Sequence, residues 1–400
     1  MKKQRKIYPK VLIISEFYFN ENTGGGILLK NLFQNYPKNK IFILHEDLNV
    51  NTGNSIKSYL LKKPNKTNNF LKKILDPFLI KLLINLKNFH VANKKKKVSS
   101  DLLFNLRQFK PDIIYTIFGN YGLMCLIKEL KLKLEIPLVT HIMDNILATY
   151  SNKKKDYRIF RYLIDSSVTR IAINSKMSLE YKKIFGYDFE VLHNGINPKK
   201  IRKVNLKNKS KVITYIGSIF KNAQLNSLVE ITKATKKLIE KNYDIKCFIY
   251  LPKNQKLIYE SYFPKDKKIY IKNHNLKDNE YFKKISESSL LLLASNFDND
   301  SIDYYKYSWP AKLGSYLMSK VPIFIYGPDK IYFVDDAKKK KWAYVENENS
   351  ALKLEKSLKK ILYDSNLRKQ TLKCAIKKSK DFELNKIQNK FVKFLGSIET

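Results

Sequence analysis

One stretch in the second half of the chain combines a helix start with a lysine. It runs Ser308-Trp309-Pro310-Ala311-Lys312-Leu313 and continues to Leu317. Ser308 is a good N-cap, and Pro310 suits a first helical turn, where a missing N–H costs nothing. The free N–H groups of that turn and the charge of Lys312 together predict an anion site, most simply for a phosphate. An ordinary capped helix with a solvated lysine explains the same residues equally well.

A histidine and a carboxylate follow a predicted strand in the first half. Residues 137–141 have the apolar character of a buried strand, which delivers His141 and Asp144 to its carboxyl end. Such a pair can orient a hydroxyl group or exchange a proton. A lone histidine of this kind more often belongs to the hydrogen-bonded structure, so the functional interpretation depends on its placement.

Three consecutive glycines, Gly24, Gly25 and Gly26, separate the first predicted strand from a helix over 27–36. Glycines at this point let backbone approach a phosphate or sugar closely. Glu46 and Asp47 follow where a dinucleotide-binding fold keeps its ribose acid, but the spacing and the missing third glycine of the fingerprint make that signal weak. A flexible loop is the alternative.

These groups lie in an alternating pattern of strands and helices that runs through the chain and restarts once. The predicted strands are 11–15, 41–44, 112–118, 137–141, 170–174, 212–216, 247–251, 269–271, 290–294 and 321–326. In such folds, ligands bind at the carboxyl ends of parallel strands. The pattern predicts an α/β protein with a domain over 1–200, a second over 208–378 and a final amphipathic helix over 379–400. Residues 199–211 are the predicted linker.

Composition excludes several classes of protein. The chain has 400 residues, enough for two domains, and a hydrophobic share of 44% that is incompatible with wholesale disorder. Cys125, Cys247 and Cys374 share no metal or redox spacing and indicate a reducing compartment. The first residues do not resemble a signal peptide, and no apolar run has the length of a membrane span. We therefore expect a cytoplasmic protein, soluble or peripheral at the membrane.

The formal net charge of +41 comes mostly from lysine. Charge of this size attracts polyanions and anionic lipid surfaces. Arginine forks and a nucleic-acid-binding module are missing, so nucleic-acid binding is a minor alternative. Within a predicted mobile insertion over 49–98, residues 70–97 combine leucines at helical spacing with a lysine run, a pattern typical of a helix lying on an anionic membrane. A core-packed helix with a solvated lysine face is the alternative.

The order of several short motifs resembles the GT-B glycosyltransferases, in particular glycosyltransferase family 4 (group 1), which contains retaining hexosyl- and mannosyltransferases. The matching segments are Gly24-Gly25-Gly26, Thr140-His141, Asn194-Gly195-Ile196, Tyr215-Ile216-Gly217-Ser218, and 308–317 with Pro322-Ile323. Each is short, and together they span most of the chain. The resemblance implies two Rossmann-like domains that face each other across a cleft, the first binding the acceptor and the second the donor.

The resemblance also implies an activity. We expect transfer of a sugar from a UDP- or GDP-sugar to a polysaccharide, lipopolysaccharide or lipid-linked glycan of the cell envelope, with retention, without a metal or cofactor, at the inner face of the plasma membrane. The residues expected to act in catalysis are His141, Asp144 and Lys312; if the reaction inverts, Asp144 or His141 is the candidate base. The residues expected to bind the donor are Gly24, Gly25, Gly26, Asn194, Gly217, Ser218, Lys221, Pro310 and Ser315.

Departures from the family pattern affect the donor site. Ser218 stands where the family commonly has an arginine, with Lys221 as an approximate substitute. Ser315 and Tyr307 stand where it has paired glutamates. A serine is a poorer acceptor than a carboxylate for a ribose hydroxyl. A non-catalytic scaffold subunit of the same fold is therefore the alternative.

One further site competes. Asp298-Asn299-Asp300, followed by Asp303, contains an Asp-x-Asp pair that can hold a divalent metal on a sugar-nucleotide diphosphate. That arrangement belongs with single-domain glycosyltransferases of another fold, so an acidic, tyrosine-rich surface loop is the favoured interpretation.

Overall fold

The computed structural model describes residues 8–21, 23–47, 56–61, 98–149, 153–201, 210–274 and 278–399. Contacts divide the chain into two units. The first takes residues 1–143, 150–192 and 388–400, and the second takes residues 144–149 and 193–387. The predicted membrane segment over 70–97 and most of the predicted linker over 199–211 lie outside the described residues.

The first unit is built on a seven-stranded sheet whose pairings are all parallel. Its order is β3-β2-β1-β4-β5-β6-β7. The strands are β1 (Val11–Ile14), β2 (Ile41–His45), β3 (Lys57–Leu60), β4 (Ile113–Ile117), β5 (Leu138–Ile142), β6 (Ser167–Ala172) and β7 (Glu190–Val191). β1, β2, β4 and β5 are buried along their whole length, as expected for parallel strands covered on both faces.

Helices connect these strands, and polar residues cap several of them. They are α1 (Gly24–Phe33), α2 (Ser100–Phe109), α3 (Tyr121–Leu134), α4 (Ile146–Thr149), α5 (Lys153–Asp165) and α6 (Ser175–Phe185). The side chains of Thr23, Ser99, Asn120 and Asn174 each accept a backbone N–H in the first turn of the helix that follows. Such caps satisfy donors that a helix start leaves open. α6 ends at Gly186, whose φ of +82° is readily adopted only by glycine.

The second unit contains a six-stranded parallel sheet in the order β10-β9-β8-β11-β12-β13. The strands are β8 (Lys211–Ile216), β9 (Ile245–Leu251), β10 (Ile269–Asn273), β11 (Leu290–Ala294), β12 (Ile323–Tyr326) and β13 (Tyr344–Glu346). The helices are α7 (Leu225–Glu240), α8 (Lys253–Tyr259), α9 (Asp278–Ser286), α10 (Asn299–Tyr305), α11 (Leu313–Met318), α12 (Tyr332–Lys340), α13 (Ala351–Tyr363), α14 (Ser365–Ser379) and α15 (Leu384–Gly396).

The predicted fold class is confirmed, because each unit is an α/β domain with a parallel sheet and helices between strands. Both sheets also reverse strand order in the Rossmann manner, around β1/β4 and β8/β11. β11 has the predicted bounds. β12 begins at Ile323 rather than at residue 321, since Pro322 has no N–H to donate to a neighbouring strand. In the part of the chain that the structure describes, no helix combines the length and hydropathy needed to cross a bilayer.

The last residues of the chain pack within the first unit. Phe391 lies edge-on to Phe33 and Tyr115, with ring centroids 5.0 and 5.3 Å apart. The Gln388 amide donates to the carbonyl of Asn31 at 2.6 Å. α15 therefore crosses the boundary at 387/388 and completes the core next to α1.

The three glycines form the first turn of α1 rather than a loop before it, and the chain's own residues explain two of them. A Cβ on Gly25 would lie 2.2 Å from the Phe17 ring, and one on Gly26 would lie 2.4 Å from the Asn20 side chain. Asn20 also accepts the N–H of Thr23, the capping residue. Close packing against residues 17–20 thus requires glycine at both positions without invoking a ligand.

We expect Gly25→Ala to lower the free energy of unfolding by about 1–3 kcal/mol, because its methyl group collides with Phe17. Without that collision, alanine in a helix would stabilise the protein by up to about 1 kcal/mol, so the sign is informative. Urea denaturation of Gly25→Ala with and without Phe17→Ala checks the mechanism. The cost of Gly25→Ala should vanish in the Phe17→Ala background; an equal cost in both would contradict it.

Candidate functional site

The helix bearing Lys312 starts later than predicted. α11 begins at Leu313, whose N–H donates to the carbonyl of Pro310 at 2.9 Å, and residues 308–312 form the turn before it. Ser308 is therefore not an N-cap; its hydroxyl donates to Asp144 at 3.4 Å. The residue before a proline avoids helical geometry, and Trp309 is further held by its ring, stacked on Phe382 at 5.9 Å. The predicted anion site therefore cannot consist of the first turn of a helix that starts at Ser308.

Lys312 itself lies against the carboxyl end of β8. Its Nζ is 3.7 Å from the centroid of the Tyr215 ring, a close cation–π contact. A Cβ on Gly217 would be 2.7 Å from the same Nζ, and the φ of Gly217 is +136°. The φ of Gly217 favours glycine, and the ammonium group of Lys312 occupies the space that a Cβ would take. The structure brings together Lys312, which was expected to act in catalysis, and Gly217, which was expected to bind the donor.

Burial makes this lysine unusual. The residue as a whole is half-buried, but desolvation acts on its ammonium group and lowers the pKa of Lys312 to about 7. A charge kept from water in this way gains strongly from an anion placed beside it. The site therefore has the electrostatic character of a prepared phosphate-binding position.

His274 is a second basic group at this site. Burial, and then the charge of Lys312, lower the pKa of His274. Its Nδ1 is buried without a hydrogen-bond partner among the described residues. Sequence reasoning missed His274; the one available signal was its position three residues after the predicted strand 269–271. The two side chains form a basic pair at the carboxyl ends of β8 and β10.

The hydroxyl of Ser315 is engaged inside the second domain. It donates to the carbonyl of Lys312 at 2.7 Å and lies 2.6 Å from the hydroxyl of Tyr281. The residue is 2% exposed. One turn of α11 is thereby anchored, and the next residue, Tyr316, accepts the N–H of Ile216 at 3.2 Å. These bonds give Ser315 a structural role where the family pattern has a carboxylate.

The remaining predicted donor-binding residues of the second domain have varied surroundings. Ser218 accepts the Tyr215 hydroxyl through its carbonyl at 2.7 Å, which closes the turn after Gly217. Lys221 is exposed, and its carbonyl accepts the Asn296 amide at 2.8 Å. Pro310 is half-buried and Asn194 is buried. Of this group, Ser218 is the one in direct contact with the Lys312 neighbourhood through Tyr215.

His141 is buried completely within the first unit. Its Nε2 lies 3.0 Å from the carbonyl of Leu192, and its Nδ1 lies 2.7 Å from the hydroxyl of Tyr115. A carbonyl only accepts, so Nε2 carries the proton and Nδ1 accepts from the tyrosine. Both ring nitrogens are thus used to join β5, β4 and the segment after β7. This geometry supports a structural role, and a catalytic role for His141 stays a prediction.

Asp144 groups with the second unit, whereas His141 groups with the first. Although the residue is exposed, desolvation raises the pKa of its carboxyl group, and the hydroxyl of Ser308 opposes that shift. The next residue, Asn145, donates to the carbonyl of Asp303 at 2.8 Å. This bond fixes the segment to α10. A carboxylate with a raised pKa is a better proton acceptor than an ordinary aspartate.

The acidic Asp298–Asp303 segment is accounted for by helix capping. Asp298 accepts the N–H of Ser301 at 2.9 Å and its hydroxyl at 2.8 Å, at the start of α10. Among the described residues, no group of three or more His, Cys, Asp or Glu side chains could hold a metal ion. The metal alternative therefore has no support from this segment.

Solved structures with similar folds extend over nearly the whole chain. Anabaena HepE in complex with UDP-glucose gives a TM-score of 0.67 at 10% identity, covering 97% of this chain and 100% of that one. Sucrose-phosphate synthase from Thermosynechococcus elongatus gives 0.66 at 9% identity, covering 96% and 98%. WaaG, a glycosyltransferase of lipopolysaccharide biosynthesis, gives 0.59 at 12% identity, covering 97% and 100%. Neither a protein-family model nor the sequence of a characterised protein matches the chain. The fold is that of the GT-B glycosyltransferases.

Replacement of Lys312 by methionine should stabilise the protein below neutral pH, since methionine fills similar space without a buried charge. Between the folded pKa of about 7 and the ordinary value of 10.5, the unfolded chain binds more protons than the folded one. Wild-type stability should therefore rise with pH across this window, and the gap to Lys312→Met should close. Urea denaturation from about pH 6 to 10 measures the gap.

Lys233→Met, which changes an exposed lysine on α7, is the matched control and should show no such pH dependence. A gap between wild type and Lys312→Met that stays constant over the whole range would contradict the burial of the Lys312 charge.

Proposed function

We propose that the chain is a glycosyltransferase that takes a sugar from a nucleoside diphosphate donor. The observation that carries the proposal is the Lys312 ammonium group, held beside Gly217 at the carboxyl end of β8 in a full-length GT-B fold. In open α/β sheets this is the edge where ligands bind, and at a sheet reversal such as β8/β11 in particular. The complex of HepE with UDP-glucose supports a nucleotide-sugar donor.

The proposed role of Lys312 is to hold the diphosphate and to stabilise it as it leaves. When the sugar–phosphate bond breaks, negative charge grows on the departing nucleotide, and a positive group fixed in advance lowers that barrier. His274 lies close enough to affect and be affected by this charge. Gly217 contributes by allowing the backbone and the ammonium group to share the same small space.

Finer features of the reaction belong to the same proposal. The acceptor is a polysaccharide, lipopolysaccharide or lipid-linked glycan, and the sugar is transferred with retention and without a metal or cofactor, at the inner membrane face. Asp144 would serve as the base only in an inverting reaction, for which its raised pKa is suitable. Membrane attachment is assigned to residues 70–97, and Gly24–Gly26, Asn194, Ser218, Lys221 and Pro310 remain proposed donor contacts.

A scaffold subunit without activity is the second candidate, favoured by one specific observation. Ser315 uses its hydroxyl for bonds to Tyr281 and to the Lys312 carbonyl, where the family pattern has a donor-binding carboxylate. Ser218 likewise replaces an arginine of that pattern. A protein that had lost the donor would tolerate both changes, and it would have no reason to keep a buried lysine.

Nucleotide binding separates the two candidates. We expect UDP or GDP to raise the melting temperature of the wild-type protein, with about 2.7 kcal/mol of stabilisation at a hundredfold excess over Kd. Lys312→Met should weaken the binding of that nucleotide at least about tenfold, since it removes a charge-assisted contact. The exposed-lysine variant Lys233→Met should bind as the wild type does. A panel of UDP- and GDP-sugars assayed for nucleotide release then identifies the donor.

No thermal protection by either nucleotide, together with no nucleotide release from any donor, would sink the transferase proposal and leave the scaffold. Protection without release, with or without glycan acceptors, would contradict the proposed activity, and the retained nucleotide site would equally contradict a scaffold that has lost the donor.

Nucleotide affinity should depend on pH through the same lysine. With a pKa of about 7 in the free protein, Lys312 becomes increasingly neutral as the pH rises, so affinity for the diphosphate should fall between about pH 7 and 9. Binding near pH 8 should take up a proton, because the anion favours the charged lysine. Calorimetry in buffers of different ionisation enthalpy measures this uptake. Equal proton uptake by wild type and Lys312→Met would contradict the assignment.

A further inference from the structure

A cavity lies on one face of the second domain's sheet, away from the Lys312 site. It has a volume of about 370 Å³, and strands β8, β9 and β10 form its floor while α9 contributes to its wall. Val212 and Thr214, which line it, lie within β8, whereas Gly217 follows the carboxyl end of that strand. The proposed donor site makes no use of this cavity.

This face of the sheet is unusual for a parallel sheet, which normally has both faces covered. Ile213 and Tyr215 point into the core with α7 and α13, so the alternate residues of β8 lie on the opposite face. On that face Lys246 is exposed and Phe248 is half-buried. An aromatic ring at the centre of a strand with partial exposure indicates a surface suited to a ligand.

Aromatic side chains run across the floor from strand to strand. Phe248 stacks on Tyr270 with centroids 4.7 Å apart and planes 15° apart, and on Tyr250 with centroids 6.1 Å apart and planes 16° apart. The Lys272 Nζ lies 5.5 Å from the centroids of both Phe248 and Tyr270. Rings and a positive charge thus occupy the same few ångströms, a combination suited to a ligand with an apolar face and an anionic group.

Charge around the cavity is predominantly positive. Lys246, Lys272 and Lys284 line it, against one acidic residue, Glu287. Glu287 pairs with Lys284 at 3.6 Å, and it can also accept hydrogen bonds from hydroxyl groups. The Thr214 hydroxyl is a further polar group of the floor; it accepts the Ser288 hydroxyl at 2.7 Å and keeps its own proton to donate.

We propose that this cavity binds an anionic glycan, a sugar carrying a carboxylate or phosphate, at a site separate from the donor site. The apolar face of a pyranose ring fits against Phe248, and its hydroxyls match Glu287 and Thr214. Its acidic group is placed to pair with Lys246 or Lys272. The volume suits one or two sugar units better than a long groove that tracks a strand.

The choice of a glycan rests on the proposed function, because an enzyme that extends an anionic glycan gains from a second hold on that chain. Linking two binding positions raises the effective concentration of the acceptor at the reacting end. The site would then favour acidic acceptors over neutral ones of equal length.

Calorimetry with tetragalacturonate, glucose 6-phosphate and neutral maltotetraose tests the site in the full chain. We expect the wild type to bind at least one anionic sugar and not maltotetraose. The double variant Lys246→Gln/Lys272→Gln should lose about tenfold in that affinity, whereas Lys233→Gln should leave it unchanged. Thermal protection by UDP or GDP should be the same in wild type and double variant, so the two sites are measured independently.

Four outcomes would overturn the proposal: no binding of either anionic sugar, equal binding of maltotetraose, unchanged affinity in the double variant, or a short oligouridylate that binds more tightly through the same two lysines. Sugar binding that persists in a protein without UDP or GDP protection would support the cavity while counting against the transferase. Nucleotide protection without sugar binding would support the donor site of the transferase and count against the cavity.

Discussion

The contact between the Lys312 ammonium group and the end of β8 constrains much of the second domain. A cation held away from water is costly, and the fold keeps it 3.7 Å from the Tyr215 ring and against Gly217. That arrangement needs a positive φ at 217, a turn rather than a helix at 310–312, and a helix α11 anchored through Ser315. Burial of this ammonium group costs stability, and functional sites are where ionisable groups with perturbed pKa values are typically found.

Two glycine motifs in this chain look alike in sequence and have different physical causes. Gly25 and Gly26 admit the chain's own Phe17 and Asn20, so they serve the packing of the first domain. Gly217 admits the ammonium group of Lys312, which comes from the turn before α11. A glycine in the sequence indicates that another group packs closely against the backbone there. Only the tertiary structure shows whether that group is part of the core, part of a loop or a charged side chain.

The chain has the GT-B fold, and some of its positions differ from the donor motif of the family that its sequence resembles. At 9–12% identity over nearly the whole length, the similar solved structures share architecture with this chain, and function has to be argued from its own residues. The backbone carbonyl of Ser218 accepts from the Tyr215 hydroxyl, and the Ser315 hydroxyl lies 2.6 Å from that of Tyr281. Lys312 places an ammonium group beside Gly217, and its charge acts on His274.

Local patterns in the sequence determined the α/β class, the two parallel sheets and most strand positions, because buried strands depend on neighbouring residues. The resemblance to a known motif pointed to Gly217, and a predicted helix start together with that resemblance pointed to Lys312. Only the tertiary structure decided that α11 starts at Leu313, that His141 is enclosed by Tyr115 and Leu192, and that His274 joins Lys312. It also decided which segments belong to which unit. Residues 144–149 group with the second unit and residues 388–400 with the first, which their order in the chain does not indicate. These features arise from contacts between residues far apart in the chain, and no local pattern encodes such contacts.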